Sequence, residues 1–296
     1  MRLKQGRKRR NLKILLLSLL FIGPNALAYL IFSYYTNLQS LFFSLFSFDY
    51  GNPPGVFIGL KNYIAVLSSS DFWAYLWNTV VLFFFSVIFA FWVPIAQALV
   101  LSELTRGKKL ARYLYVLPAS LPAIASMTIW IYIWNVDYGL ANRLVGILGL
   151  GPYDWLGDPK LVKMTLRIGG LLGGGLGILI YLVSINNISE DIYEAAKIDG
   201  ATAFRRIFAI TLPNMKNIIG LQFLLSLSGA LLTFDDVYIM TGGGPGESSR
   251  TIVMGIYLKA FSQLNYGQAM AMSVLLCLIT MIFVGLQLKL RRARED

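Results

Sequence analysis

Apolar residues along this chain gather into six long runs, at about 12–36, 76–101, 113–135, 164–186, 217–240 and 265–288. Each run can cross a bilayer as a helix, because about 20 residues at ~1.5 Å rise span a hydrocarbon core roughly 30 Å thick. A lone strand in lipid would leave its backbone groups unpaired, so length and environment together predict helices. Six crossings bring the end of the chain back to the side on which it starts. The connections on the opposite side are 37–75, 136–163 and 241–264. They contain the turn sequences Gly51-Asn52-Pro53-Pro54-Gly55 and Gly149-Leu150-Gly151-Pro152. No internal repeat or low-complexity tract interrupts the pattern. The expectation is one all-α integral membrane domain over residues 1–296.

Composition agrees. Only 14% of the residues are charged and the mean hydropathy is +0.63, more apolar surface than a water-soluble domain of this size can hide. The net charge of +11 raises nucleic acid as a partner, and the placement of the charges argues against it. Arg2, Lys4, Arg7, Lys8, Arg9, Arg10 and Lys13 precede or open the first run. Arg106, Lys108, Lys109 and Arg112 follow the second, and Lys197, Arg205, Arg206 and Lys216 lie between the fourth and fifth. Lys289, Arg291, Arg292 and Arg294 follow the sixth, so one side holds nineteen of the 26 basic residues. By the positive-inside rule that side is the cytoplasm. Residues 1–11 then form a basic cytoplasmic N-terminus, 187–216 a cytoplasmic loop and 289–296 a cytoplasmic tail. Residues 1–28, ending in Ala26-Leu27-Ala28, have the outline of a cleavable signal peptide. The apolar run nevertheless continues through Tyr29-Leu30-Ile31-Phe32 to full span length, which favours a retained anchor.

Chemistry is constrained by what is missing. Without histidine, zinc sites built on imidazole and Ser-His-Asp catalysis are excluded, and neither a metal site nor a catalytic residue is expected. Cys277 is the one cysteine, so it can form no internal disulfide and reports no redox compartment. A phosphate-binding loop needs G-x-x-x-x-G-K-[ST]. Here Gly107-Lys108 is followed by Lys109, and Gly242-Gly243-Gly244-Pro245-Gly246 leads into Glu247.

The loop at 187–216 is the most informative polar segment. Ser189 can cap a helix whose first turn carries Glu190 and Asp191, where the helix dipole favours acids. Gly200 stands where a left-handed glycine would end it. Thr202 can cap a second short helix with Phe204, Ile207, Phe208 and Thr211 on one face, stopped by Pro213 or leading at Pro213 into span five. Ala195 and Ala196 would let another surface approach closely, and Glu194 offers a charge to a partner's cation. An amphipathic helix lying on lipid headgroups has the same pattern, and periodicity does not name what it touches.

Glu194-Ala195-Ala196, then Gly200, then Ile210 and Leu212-Pro213, at these spacings, resemble the EAA signature of binding-protein-dependent ABC importer permeases. The carbohydrate, maltose permease-like branch is similar at Phe57-Ile58-Gly59-Leu60-Lys61-Asn62-Tyr63, Asn78-Thr79, Leu117-Pro118 and Pro122. It is also similar at Phe234-Asp235-Asp236-Val237-Tyr238 and Thr241-Gly242-Gly243-Gly244-Pro245. The resemblance implies a six-helix type I ABC importer transmembrane subunit with a cytoplasmic coupling helix between spans four and five. It implies a bacterial or archaeal cell (inner) membrane and import of a sugar or oligosaccharide. Its implied partners are a second homologous permease, two ATPase subunits that bind ATP and Mg, an extracytoplasmic solute-binding protein and membrane lipid. This chain itself would hold no cofactor. The coupling-loop contacts to the ATPase would be Glu194, Ala195, Ala196, Asp199, Gly200 and Arg205.

Two departures qualify the match. Asn186-Asn187-Ile188-Ser189 stands where the family carries Gln-x-Ile-Pro, and span four is rich in glycine at Gly169, Gly170, Gly173, Gly174, Gly175 and Gly177. Small residues there suit close helix packing; a cavity widened for a larger saccharide is the other reading. A sugar site combines aromatic faces with amide and hydroxyl partners, which nominates Asn78, Gln97, Trp130, Asn135, Gln222, Ser226 and Tyr238 along the substrate path. Asp235 and Asp236, near the outer end of span five, face either a cavity or interfacial water. Polyols and glycerol phosphates remain open as solutes. A membrane-embedded enzyme would need aspartates on separate helices, whereas neighbours on one helix point about 100° apart. A non-transporting sensor or scaffold would share the cytoplasmic loop.

Overall fold

A computed structural model of the chain describes residues 17–49, 55–104, 106–169 and 177–295. The basic residues before Leu17, the turn at 51–54 and Gly170 with Gly173–Gly175 lie outside the described residues. The described backbone is helical apart from loops and two isolated bridges.

Four helices are long and apolar enough to cross a membrane uninterrupted: Leu17–Phe43, Ser70–Glu103, Ala203–Leu231 and Tyr266–Lys289. The first runs past residue 36 because its polar residues are satisfied within the helix. Thr36 Oγ1 donates to the Phe32 carbonyl and Ser40 Oγ to that of Thr36, each at 3.0 Å. Spans two and five absorb internal prolines. Proline lacks an amide hydrogen and its ring crowds the carbonyl four residues earlier. A wider π turn precedes each one, Val87–Phe91 before Pro94 and Ile207–Thr211 before Pro213. Pro213 therefore does not stop the helix: it stands in the first turn of the α-helix Leu212–Leu231, and the helix capped by Thr202 runs through the π turn into span five.

Span three is not the continuous helix that its hydropathy predicts. It divides into Lys108–Val116, a 3-10 turn Leu117–Ser120 and Ala123–Ile133. Leu121, forced out of helical geometry by the proline that follows it, is extended at φ −75°, ψ 144°. Span four is described as Val162–Ile168 and Gly177–Asn186. Span five ends at Leu231, short of the expected 240, and Asp235–Thr241 forms a separate short helix.

The chain divides into two compact units, Met1–Ser68 with Ile256–Leu276 and Ser69–Gly255 with Cys277–Asp296. In the first, buried Asn62 donates to the carbonyls of Ser44 (2.8 Å) and Phe46 (2.9 Å), and Tyr63 bonds the Ser44 hydroxyl at 2.7 Å. The Phe57–Tyr63 motif thus pins the segment that follows span one. Gly267 is required there, since a Cβ would sit 2.8 Å from the Asn62 amide.

The second unit is centred on an apolar cluster. Phe91, Ile95, Ala98 and Leu101 of span two meet Ile178, Tyr181, Leu182 and Ile185 of span four, with Met215 of span five. Their spacing of three and four is one helix stripe on each side. Close packing of these stripes, rather than water expulsion, holds helices together in lipid.

Candidate functional site: a glycine corner and a polar cluster at the opposite end

The loop after span four builds the expected pair of helices at a glycine corner. Glu190–Ile198 starts after Ser189, which holds the cap position, although its hydroxyl bonds the Asp191 carboxylate at 3.3 Å instead of an amide. At the other end Gly200 takes φ +74°. Its amide donates to the Lys197 carbonyl at 3.0 Å and the Ala201 amide to the Ala196 carbonyl at 2.9 Å, the paired bonds of a Schellman ending. An L side chain in that conformation would cost roughly 1–2 kcal/mol. Thr202 then caps the next helix, accepting from the Arg205 amide at 3.3 Å.

Polar contacts fasten this corner to the spans. The hydroxyls of Tyr193 and Thr211 are 2.8 Å apart. Arg206 donates to the Ala201 carbonyl at 3.0 Å and pairs with Glu103, the last residue of span two, at 3.0 Å. Glu194, Ala195, Asp199, Gly200 and Arg205 face outward, and Ala196 is half-buried. Around them Ile198 is 87% exposed and Phe204 73%, with the Phe204 and Phe208 rings 4.8 Å apart. The expected single face of Phe204, Ile207, Phe208 and Thr211 is split. Phe204 and Phe208 point out, Ile207 is half-buried and Thr211 buried, because the π turn shifts the register between them.

The other end of the same spans carries a second polar cluster. The Asn78 side chain, 5% exposed, donates to the carbonyls of Glu247 (2.9 Å) and Arg250 (3.0 Å). Thr79 accepts from the Ile252 amide at 3.1 Å, and Tyr75 lies 3.4 Å from both the Glu247 carboxylate and the Arg250 guanidinium. Glu247 and Arg250 also pair with each other. The glycine-rich segment after residue 241 is thereby docked on span two. Gly243 sits at φ +85°, and a Cβ there would lie 2.4 Å from Arg250 Cγ and 2.9 Å from the Met254 sulfur. Gly243→Ala is expected to destabilise the fold by about 1–3 kcal/mol, read as a lowered thermal midpoint of the purified protein.

Beside this loop, Arg167 of span four pairs with Asp236 at 2.8 Å, their side chains 14% and 17% exposed. Arg167 also donates to Thr233 Oγ1 at 2.9 Å, and Thr251 Oγ1 donates to the Thr233 carbonyl at 2.9 Å. Asp236 is therefore held by a counter-charge, while Asp235 is exposed. The sequence motifs leave out Arg167, Thr233 and Glu103, and Arg206 enters only the charge balance. For Arg167 the available signal was a lone cation inside an apolar run, which calls for a partner.

The nominated substrate-path residues lie in several places. Asn78 spends both amide hydrogens on the loop, and Gln97 is half-buried lower on span two. Trp130 packs on Gly169, where a Cβ would lie 3.1 Å from its ring, and stacks on Trp134 at 5.7 Å. Asn135 Oδ1 accepts the amides of Asp137 (2.9 Å) and Tyr138 (3.2 Å), closing a turn. On span five Gln222 is half-buried, and exposed Ser226 donates to the Phe223 carbonyl at 3.0 Å. Tyr238 is exposed and stacks on Phe234 at 5.2 Å. An open apolar groove lined by Leu179, Ile180, Val183, Ser184, Asn187 and Ile218 includes none of them.

Comparison with known proteins resolves which kind of membrane protein uses these two ends. Residues 14–294 match the family described as binding-protein-dependent transport system inner membrane component. The chain belongs to this family. The permease is 36% identical over 248 residues to the trehalose/maltose transport system permease protein MalF of Thermococcus litoralis, covering 82% of this chain and 83% of that one. It is 30% identical over 282 residues to the probable ABC transporter permease protein YurN of Bacillus subtilis, covering 94% and 96%. With the sulfoquinovosyl glycerol transport system permease protein SmoG of Agrobacterium fabrum it shares 30% identity over 283 residues, covering 95% and 92%. Its fold is that of a chain in the crystal structure of a bacterial ABC transporter involved in alginate import, with TM-score 0.82, 22% identity and 99% of both chains covered. The permease is thus a transport subunit with the type I ABC importer fold.

Proposed function

We propose that the permease moves a sugar or oligosaccharide into the cell on energy from ATP hydrolysed by a separate pair of ATPase subunits. One observation carries the reading: an outward-facing Schellman corner, holding Glu194 and Gly200 and fastened by side chains to spans two and five. A corner built this way can receive a mechanical stroke without melting, and the chain has no phosphate loop with which to generate one. ATP and Mg belong to the ATPase partner, whose surface meets Glu194, Ala195, Ala196, Asp199, Gly200 and Arg205. The excess of basic residues on the corner's side of the membrane supports its placement in the cytoplasm, with both termini.

The opposite end, with the docked loop after residue 241, faces an extracytoplasmic solute-binding protein. A transporter of the same fold has been crystallised with an alginate pentasaccharide-bound periplasmic protein. A second, homologous permease completes the pathway in the cell (inner) membrane of a bacterium or archaeon. Sugar as the solute is supported by relatives named for trehalose/maltose, sulfoquinovosyl glycerol and arabino-oligosaccharides. Among the nominated path residues, Trp130, Gln222, Ser226, Asp235 and Tyr238 offer the ring faces and polar groups that a sugar needs.

The test is uptake by the assembled complex in proteoliposomes supplied with its binding protein and internal ATP. Labelled di- and oligosaccharides are expected to accumulate with ATP and not with a non-hydrolysable analogue. Accumulation of a polyol or glycerol phosphate in place of any saccharide would overturn the solute class, and ATP-independent accumulation would overturn the mechanism.

A further inference from the structure

We infer that Arg206 is a positioning residue that makes the cytoplasmic corner and span two move as one piece, so that a push on the corner reaches span two as well as span five. The inference rests on the coupling reading above and adds a path to it. Span five is joined to the corner covalently, since one helix runs from Ala203 to Leu231. The Tyr193–Thr211 contact duplicates that connection. Span four is likewise continuous with the corner through 187–189. Span two has no such link, because spans three and four intervene in the chain.

Arg206 supplies the missing connection. One guanidinium nitrogen donates to the carbonyl of Ala201, the residue immediately after the glycine that makes the bend, and the other to Glu103 at the end of span two, both at 3.0 Å. Its side chain is 12% exposed and that of Glu103 40%, so one end of the pair is shielded from water and the other is partly screened. A planar fork with several donors fixes two acceptors at once, which a lysine ammonium on a flexible stem does not do with the same geometry. Above the clamp, span two packs on span four through Ile95, Ala98 and Leu101, so motion handed to Glu103 is handed on to the apolar cluster. The two neighbouring arginines thereby divide the work: Arg205 faces outward, toward a partner, and Arg206 faces in.

Uptake and ATP hydrolysis measured together, on the complete complex in proteoliposomes with its binding protein, test this. Arg206→Gln is expected to lower uptake about tenfold while hydrolysis changes less than about twofold, and Arg206→Lys is expected to fall between it and the parent. Glu103→Gln, at a more exposed site, is expected to lower uptake in the same sense with normal assembly. The double variant Glu103→Gln/Arg206→Gln is expected to be no worse than Arg206→Gln alone, the non-additivity of two groups that act through each other. An unchanged ratio of uptake to hydrolysis in the single variants, or losses that multiply in the double, would overturn the clamp. Glu194→Lys in the same assay separates the two levels. If it blocks uptake while Arg206→Gln leaves the ratio intact, only the clamp fails; if it too transports normally, the coupling reading fails with it.

Discussion

Glu194→Lys is expected to reduce uptake by about 100-fold or more, with the permease still inserted in the membrane at parental levels. Glu194 is exposed on the corner helix with Ala195 beside it, so a charge reversal there perturbs no internal packing. At the proposed ATPase interface the same change would remove an attractive pair and oppose like charges, a loss of roughly 2–5 kcal/mol for a buried contact. Gly200→Pro should be equally severe for a different reason. Proline fixes φ near −65°, whereas Gly200 stands at +74° and its amide closes the helix end on Lys197. Gly200→Ala is expected to be the mild member of the series, adding only the left-handed strain of about 1–2 kcal/mol. Transport rates in proteoliposomes, normalised to inserted permease, provide the measurement, and normal uptake by both severe variants would refute the coupling role.

The second large effect concerns Arg167 and Asp236. Removing the carboxylate with Asp236→Ala leaves a mostly buried guanidinium with Thr233 as its hydrogen-bond partner among the described residues. An uncompensated charge of this kind costs about 3–5 kcal/mol, enough to lower the thermal midpoint of the purified permease sharply and reduce its yield. The paired change Arg167→Leu/Asp236→Leu removes both charges and is expected to recover most of that stability. The contrast between single and double variants identifies a buried pair; equal losses in both would instead mean that local packing dominates. Thermal unfolding in detergent, followed by tryptophan fluorescence, reads the difference.

The features legible in the sequence were those set by nearest neighbours. The corner is an example: Gly200 and Thr202 act within a few residues of themselves, and their roles follow from backbone conformation alone. The proline effects were half legible. Pro118 and Pro122 are visible in the chain, yet the hydropathy of 113–135 is high enough to hide the break they impose. Pro94 and Pro213 produce no break, because a single π turn ahead of each absorbs the missing bond. Pairings distant in sequence were not legible. Nothing near Arg167 announces Asp236, and nothing near Glu103 announces Arg206. Asn78 shows the same limit from the opposite direction. A buried asparagine that binds a loop backbone and one that lines a solute path look alike in sequence, and only the position of Glu247 and Arg250 distinguishes them.

The unbroken helix from Ala203 to Leu231 has 29 residues, a rod about 44 Å long at ~1.5 Å per residue. One tip carries the glycine bend, and the other ends two residues short of Thr233, beside the Arg167–Asp236 pair. A tilt of about 5° around the middle of a rod that long swings each tip by about 2 Å in opposite directions. Such a beam gives a modest shove at one membrane surface leverage over a salt bridge and a glycine-rich loop at the other.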